Sequence, residues 1–369
     1  MPEYDVIIVG GSFAGLAVAR QLRGYRVLIV DQRPIGAHQT SACGAPLPAI
    51  QALGAEAAAL DAQDTLVLHT GGRTFHYPLR HPFVTLDYAA YCQAVLAQTE
   101  AEVWLARATG VADGVVETTR GPVAGRFIVD ASGWQSLRRA AATPARAQAG
   151  TGYGIEAEVP GACAAPGLHF YFEKALVRHG YAWAFPCGPS TRFGICTFDK
   201  GVRLGPPLAA LLARFGQQPG RTHGGVLAVD WRPPLAGAVF VVGDAAGQCL
   251  PLTAEGIRPA VSNGSYCGRC IAAALAGAIT PAAARARYQA HVQTQAYYHT
   301  WLLWMQRGVA ATPEPLIALA GWIGSRPAAA RVALDNYFAR SGGLSGLLPA
   351  TPAAGAEVTR SLPRESPAP

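Results

Sequence analysis

Val6-Ile7-Ile8-Val9-Gly10-Gly11-Ser12-Phe13-Ala14-Gly15 decides the fold. The four apolar residues read as a strand buried on both faces. A glycine turn follows, then a helical pattern from Leu16 to Arg23 that Gly24 ends. Arg26 to Val30 reads as a second strand, closed by Asp31. Strand, glycine turn, helix and strand make the opening unit of a dinucleotide-binding fold. Gly10 permits the tight turn. Ser12, small but not the usual middle glycine, lets backbone approach a pyrophosphate, and Gly15 permits close helix–strand packing. Asp31 stands 21 residues after Gly10, where an acid accepts hydrogen bonds from ribose hydroxyls.

Composition bounds the rest. The chain has 369 residues, half of them apolar and 14% charged, enough for one large or two medium domains with sizeable cores. So low a charge points to deep burial or an apolar substrate. The formal net charge of +7 comes from arginine, since Lys174 and Lys200 are the only lysines. The arginines are dispersed and no dense basic patch is interleaved with aromatics, so nucleic acid is not the expected partner. A pyrophosphate cofactor, an anionic substrate or a lipid surface accounts for the charge better. The eight cysteines have no disulfide-framework spacing and are read as reduced thiols of a cytoplasmic protein. No signal peptide precedes the first strand and no apolar run is long enough to span a membrane.

Further along, strand-like runs occur at Thr65 to His69 and Thr74 to Tyr77, and Tyr88 to Gln98 reads as a helix. Leu168 to Phe172, Tyr181 to Phe185 and Phe193 to Phe198 have the pattern of an antiparallel sheet. A long helix is expected from Gly256 to about Ala276, and residues 281–345 read as helical. The last 18 residues or so, rich in Pro, Ala and charge, are expected to be disordered. Cys267-Gly268-Arg269-Cys270 has redox-like spacing but falls inside a helix, where its thiolates gain no stabilisation. The nine histidines show no metal spacing.

Two later segments narrow the cofactor. Phe127 to Arg138, containing Asp130-Ala131-Ser132-Gly133, resembles the strand-to-loop segment of group A flavoproteins. Val239 to Gly247, containing Gly243-Asp244, resembles their late Gly-Asp motif. The run Gly-Asp-Ala-Ala-Gly-x-x-x-Pro-Leu-Thr-x-Glu-Gly-Ile from Gly243 to Ile257 is similar to that of the geranylgeranyl reductase family. Gly180-Tyr181-Ala182-Trp183-Ala184-Phe185-Pro186 resembles that family's Tyr-x-Trp-x-Phe-Pro signature, and Cys43-Gly44 its cysteine loop beside the flavin. The resemblance covers about residues 4 to 290. Tyr88 departs from it, lying where many relatives carry an arginine that contacts FAD.

The resemblance implies an α/β fold of p-hydroxybenzoate-hydroxylase type: a Rossmann-like FAD-binding domain, an inserted antiparallel β-sheet substrate domain and C-terminal helices. The expected bounds are 1–75, 100–150 and 230–295 for the FAD domain and 76–99 and 151–229 for the substrate domain. Residues 296–350 form the helical region and 351–369 the tail. It implies that FAD is held by Gly10, Gly11, Ser12, Ala14, Gly15, Asp31, Gln32, Arg33, Ala42, Cys43, Gly44, Val111, Asp130, Ala131, Gly133, Gly243, Asp244, Pro251, Gly256 and Ile257. Asp244 would hold a ribityl hydroxyl, and the helix beginning near Gly256 would point its N-terminus at the pyrimidine side of the flavin.

The implied activity is saturation of isolated C=C bonds in a prenyl chain by hydride from reduced flavin plus a proton, with NAD(P)H or a ferredoxin-like protein as electron donor. Tyr181 and Trp183, on one side of a strand by alternation, are the candidates for an aromatic face beside developing positive charge. Cys43 either donates the proton or packs near the ring. Peripheral membrane contact fits an apolar substrate. The rival readings are a group A flavin monooxygenase, a redox-neutral flavin cyclase and a flavin-bearing electron-transfer protein. A flavin halogenase would need a catalytic lysine in the N-terminal third, and none precedes Lys174.

Overall fold

The computed structural model describes residues 3–40, 42–135, 137, 152–161 and 165–342. Ser136, Arg138 and the 351–369 tail lie outside the described residues.

The first half of the chain runs β1 (Tyr4–Val9), α1 (Phe13–Ala19), β2 (Val27–Asp31), β3 (Gly44–Pro46), α2 (Leu47–Gln51), β4 (Ala59–Thr70), β5 (Arg73–Leu86) and α3 (Tyr88–Leu96). Strands β6 (Glu102–Leu105), β7 (Ala108–Ala112), β8 (Val115–Thr118) and β9 (Val123–Asp130) follow. Next come β10 (Gly152–Pro160), β11 (Leu168–Tyr171), β12 (Gly180–Cys187), β13 (Ser190–Thr197), α4 (Gly205–Ala213) and β14 (Thr222–Leu227). The chain continues with β15 (Leu235–Ala236), β16 (Val239–Val241), α5 (Ile257–Leu275), α6 (Pro281–Ala311), α7 (Glu314–Gly324) and α8 (Pro327–Arg340).

The apolar run around Val6 lies inside a sheet of order β15-β16-β9-β1-β2-β6, in which β1 is parallel to both β2 and β9. Val6, Ile7 and Ile8 are fully buried, as a parallel strand covered on both faces requires. Helices α1 and α5 lie against each other because Gly264 and Gly268 carry no side chain. A Cβ on Gly264 would sit 2.5 Å from the Ala14 carbonyl oxygen, and one on Gly268 2.7 Å from that of Val18.

The second sheet has the order β14-β10-β13-β12-β11-β4-β5-β3. The expected antiparallel segments form β11, β12 and β13, and β11 also pairs in parallel with β4. Two segments sit differently from the expected bounds. Residues 44–46 and 59–75, expected in the first unit, pair in the second sheet, whereas α3, expected in the second, buries Tyr91, Cys92 and Val95 in the core around α1. The two short runs read in the sequence are pieces of a long hairpin of 12 and 14 residues. Register shifts at Ala59/Asp61 and Gln63/Thr65 absorb the polar interruptions, so pairing continues past them.

Candidate functional site

A cavity of about 670 Å³ opens between the two sheets. One end begins at the β1–α1 turn. Gly10 has φ +103, and a Cβ there would lie 2.3 Å from the Ala131 carbonyl oxygen. A Cβ on Gly15 would lie 1.9 Å from the Gly10 oxygen, so Gly15 packs the helix onto the turn and does not itself reach the cavity. Gly10, Gly11, Ser12 and Ala14 line it. Asp31 stands at the same end, with Gln32 and Arg33 beside it. Its Oδ2 accepts the Gly11 N–H at 2.8 Å and its Oδ1 that of Arg33 at 3.0 Å. Each oxygen keeps acceptor capacity for a hydroxyl in the cavity. The Tyr88 hydroxyl donates to Ser12 Oγ at 2.9 Å, so the residue that departs from the family pattern is built into the turn.

The middle of the cavity is lined by Ala131, Ser132 and Gly133 on one side and by Gly243, Asp244, Gly256 and Ile257 on the other. Asp244 faces the cavity and its carboxylate makes no side-chain hydrogen bond among the described residues. Desolvation raises its pKa to about 6, partly offset by Arg232 and reinforced by Asp230. A carboxylate held this way fits a ligand hydroxyl that donates to it. The N-terminus of the 19-residue α5 points into the same space, with its positive dipole end at Gly256 and Ile257.

The far end is aromatic. Phe170, Tyr181, Trp183 and Phe185 line it, with Ala42, Cys43 and Gly44 across from them. Tyr181 and Trp183 project from one face of β12, their ring centroids 6.1 Å apart, and Phe170 stands 5.7 Å from Tyr181. Neither ring is free to turn. The Tyr181 hydroxyl donates to the Thr253 carbonyl at 2.6 Å, and burial pushes its pKa well above the usual phenol range. The Trp183 Nε1–H donates to Glu156 Oε2 at 2.8 Å. Cys43 is buried with φ 49, and Leu252 and Ala254 are also left-handed, so three of the four described non-glycine residues in this sparsely populated region, all but Asp113, belong to the loops beside the aromatic end.

Besides Gly15, three expected contacts fall elsewhere. Asp130 is 1% exposed and does not face the cavity. Its carboxylate instead accepts from Ser132 N, Ser132 Oγ and Leu137 N, which shapes the loop that does. Val111 packs in the cluster around Val116 and Trp104, and the cavity meets the preceding residues Ala106 to Thr109. Pro251 precedes the left-handed turn that presents Thr253 and Ala254, and does not itself line the cavity.

Sequence reasoning missed three residues. Glu156, a carboxylate on β10, is 2% exposed. Arg192, 3% exposed, donates from Nη1 to the Ala42 carbonyl at 3.2 Å and the Leu86 carbonyl at 3.0 Å, tying the cysteine loop to the second sheet. Gly194 lies directly across from Trp183, and a Cβ there would be 2.1 Å from the indole. The available signal was a lone arginine and a glycine inside the apolar run of β13.

No protein-family model matches the chain. A digeranylgeranylglycerophospholipid reductase of Methanothermobacter thermautotrophicus is 28% identical over 309 residues, covering 74% of this chain and 79% of that protein. A geranylgeranyl bacteriochlorophyll reductase-like protein of Thermoplasma acidophilum superposes with a TM-score of 0.79 at 18% identity, over 92% of this chain and 97% of that one. The chain resembles the geranylgeranyl reductases in sequence and in fold. A probable FAD-dependent monooxygenase of Pseudomonas aeruginosa has the same architecture, with a TM-score of 0.62 at 18% identity over 91% of this chain and 99% of that one. The mixed α/β fold expected from the β1–α1–β2 turn is thus that of FAD-dependent oxidoreductases.

Proposed function

We propose that the protein is an FAD-dependent oxidoreductase that saturates C=C bonds of a prenyl chain. The observation that carries this reading is one continuous cavity, with dinucleotide-binding geometry at one end and, at the other, an aromatic wall of Phe170, Tyr181, Trp183 and Phe185 with Glu156 beside it. Reduced FAD supplies the hydride for an alkene that no carbonyl polarises. Gly10, Gly11, Ser12 and Ala14 would hold the pyrophosphate, Asp31 a ribose hydroxyl and Asp244 a ribityl hydroxyl. The α5 N-terminus would stabilise negative charge on the pyrimidine side.

Phe170, Tyr181, Trp183 and Phe185 would align the chain and exclude water. Their faces stabilise positive charge that builds on the substrate carbon. The hydrogen bonds that fix Tyr181 and Trp183 keep that part of the surface in place before substrate enters. Cys43 faces the same space from the opposite wall and holds the chain against the rings. The electron donor is of the NAD(P)H or ferredoxin class, and the substrate is a prenyl lipid presented at a membrane surface.

Anaerobically reduced protein mixed with a geranylgeranyl lipid tests this. The expected result is flavin reoxidation together with a product heavier by two hydrogens per saturated bond, slowed about tenfold or more in Trp183→Ala. Oxygen uptake with a hydroxylated product would replace the proposal with the monooxygenase reading.

A further inference from the structure

Four strands of the second sheet place a row of residues side by side: His223 on β14, Glu156 on β10, Gly194 on β13 and Trp183 on β12. Gly194 leaves room for the Trp183 indole to lie across its own strand and reach Glu156 Oε2. The other oxygen, Glu156 Oε1, is buried, has no hydrogen-bond partner of good geometry, and stands 3.2 Å from His223 Nε2. Glu156 lines the substrate end of the cavity, while 28% of the His223 side chain is open to solvent. The row therefore joins solvent to the aromatic wall through two groups that can carry a proton.

We propose that Glu156 is the acid that protonates the alkene and that His223 recharges it from solvent, given the prenyl reduction proposed above. The alkene π bond breaks. One carbon takes a hydride from reduced flavin, and the other takes the proton of the Glu156 carboxyl. The carboxylate left behind takes the Nε2 proton of an imidazolium His223; because that nitrogen is buried, the ring turns outward to take a replacement proton from hydronium, which becomes water. The two electrons come wholly from the flavin, so the protein ends unchanged.

Charged groups stand near the pair on two sides. Arg192 of β13 places its Nε 4.0 Å from Glu156 Oε1, and Glu158, one turn of the pleat along β10, accepts from the same nitrogen at 3.0 Å. His38, from the loop after β2, lies near both Arg33 and His223; burial lowers its pKa first, and the charges of Arg33 and then His223 add to that. Arg192 has Glu158 as its nearer partner, which leaves Glu156 to His223.

Anaerobic single-turnover reoxidation, followed from pH 5 to 9, tests the relay. The wild-type rate is expected to fall as pH rises, because the step needs a protonated pair. Glu156→Gln should lower the rate by about a hundredfold or more, within the range of general acid catalysis. His223→Gln, a change at a partly exposed side chain that leaves the fold intact, should lower it about tenfold and flatten the pH profile. Both variants should retain flavin and bind the prenyl lipid within about threefold of wild type, a readout independent of turnover. Rates within threefold of wild type, or an unaltered pH profile in His223→Gln, would overturn the relay. Failure of the wild-type protein to reduce any prenyl lipid would instead overturn the reductase reading.

Discussion

Gly194 and Asp244 show how single residues set the aromatic end and the middle of the cavity. Gly194 exists to be covered by Trp183. Gly194→Ala drives a Cβ to 2.1 Å from the indole, which must leave its bond to Glu156. Overpacking of this kind costs about 1–3 kcal/mol. Urea unfolding should show that loss, and the indole fluorescence should shift as the ring moves. Asp244 has the opposite problem, a charge buried before its ligand arrives. Its folded pKa, about 6, lies above its unfolded value of 3.8. Between these values the folded state binds more protons than the unfolded state, so this residue's contribution to stability falls as pH rises through 6. Asp244→Asn removes the titration. In flavin-free protein, thermal melts should find the variant gaining on wild type as pH goes from 4 to 7, while its affinity for FAD is weaker. The Gly-Asp motif was legible as a sequence. The pKa shift was not, because it arises from the walls that α5 and the 249–256 loop place around the carboxylate.

At the scale of elements, the loop before α5 is held from the far end of the chain. Arg258, fully buried in the first turn of α5, pairs with Glu255 through Nε at 2.7 Å and Nη2 at 2.9 Å. It also donates to the Ser341 carbonyl at 2.9 Å, and the Tyr337 hydroxyl of α8 donates to the same carboxylate. Helix α8 thereby anchors the loop whose Thr253 carbonyl holds Tyr181. Removing one partner of a buried pair leaves the other charge uncompensated, so Arg258→Met should cost roughly 3–5 kcal/mol in denaturant unfolding. The double variant Glu255→Gln with Arg258→Met should recover part of that, a coupling that a double-mutant cycle measures. Local pattern made α5 and the antiparallel core of the second sheet legible, since burial periodicity is a property of the segment itself. The assignment of β3, β4, β5 and α3 was not legible. Which sheet a strand joins depends on partners more than 80 residues away, such as the β4–β11 pairing. The reach of Asp130, Val111 and Pro251 was misread for the same reason: the motif fixes where a residue sits along the chain, but the register and the turn decide which way it faces.

At the scale of the whole molecule, the C-terminal helices carry an outer surface that the core does not need. Tyr297, Trp301, Trp304 and Met305 on α6 and Leu316, Leu319, Trp322 and Ile323 on α7 are exposed, with Trp304 at 66% and Trp322 at 48%. Arginines sit over two of the indoles: Arg307 lies 5.5 Å from the Trp304 ring centre and Arg326 4.6 Å from that of Trp322. Among the described residues no helix is long and apolar enough to cross a membrane. A surface of indoles paired with guanidinium groups suits the boundary between lipid headgroups and acyl chains, where the ring is half desolvated and the cation meets phosphate. The formal net charge of +7 gives the whole chain a bias in the same direction. Co-sedimentation with phosphatidylcholine vesicles should therefore be weak and should strengthen when phosphatidylglycerol is added. That gain should fall with salt as charges are screened. Trp304→Ser with Trp322→Ser removes two exposed rings without touching the core. Each ring that enters the interface contributes at least about 1.4 kcal/mol from buried area, so the double variant should bind anionic vesicles about a hundredfold more weakly or worse. Binding unchanged by the double substitution would show that these helices face water, and the proposed prenyl substrate would then need another route to the cavity.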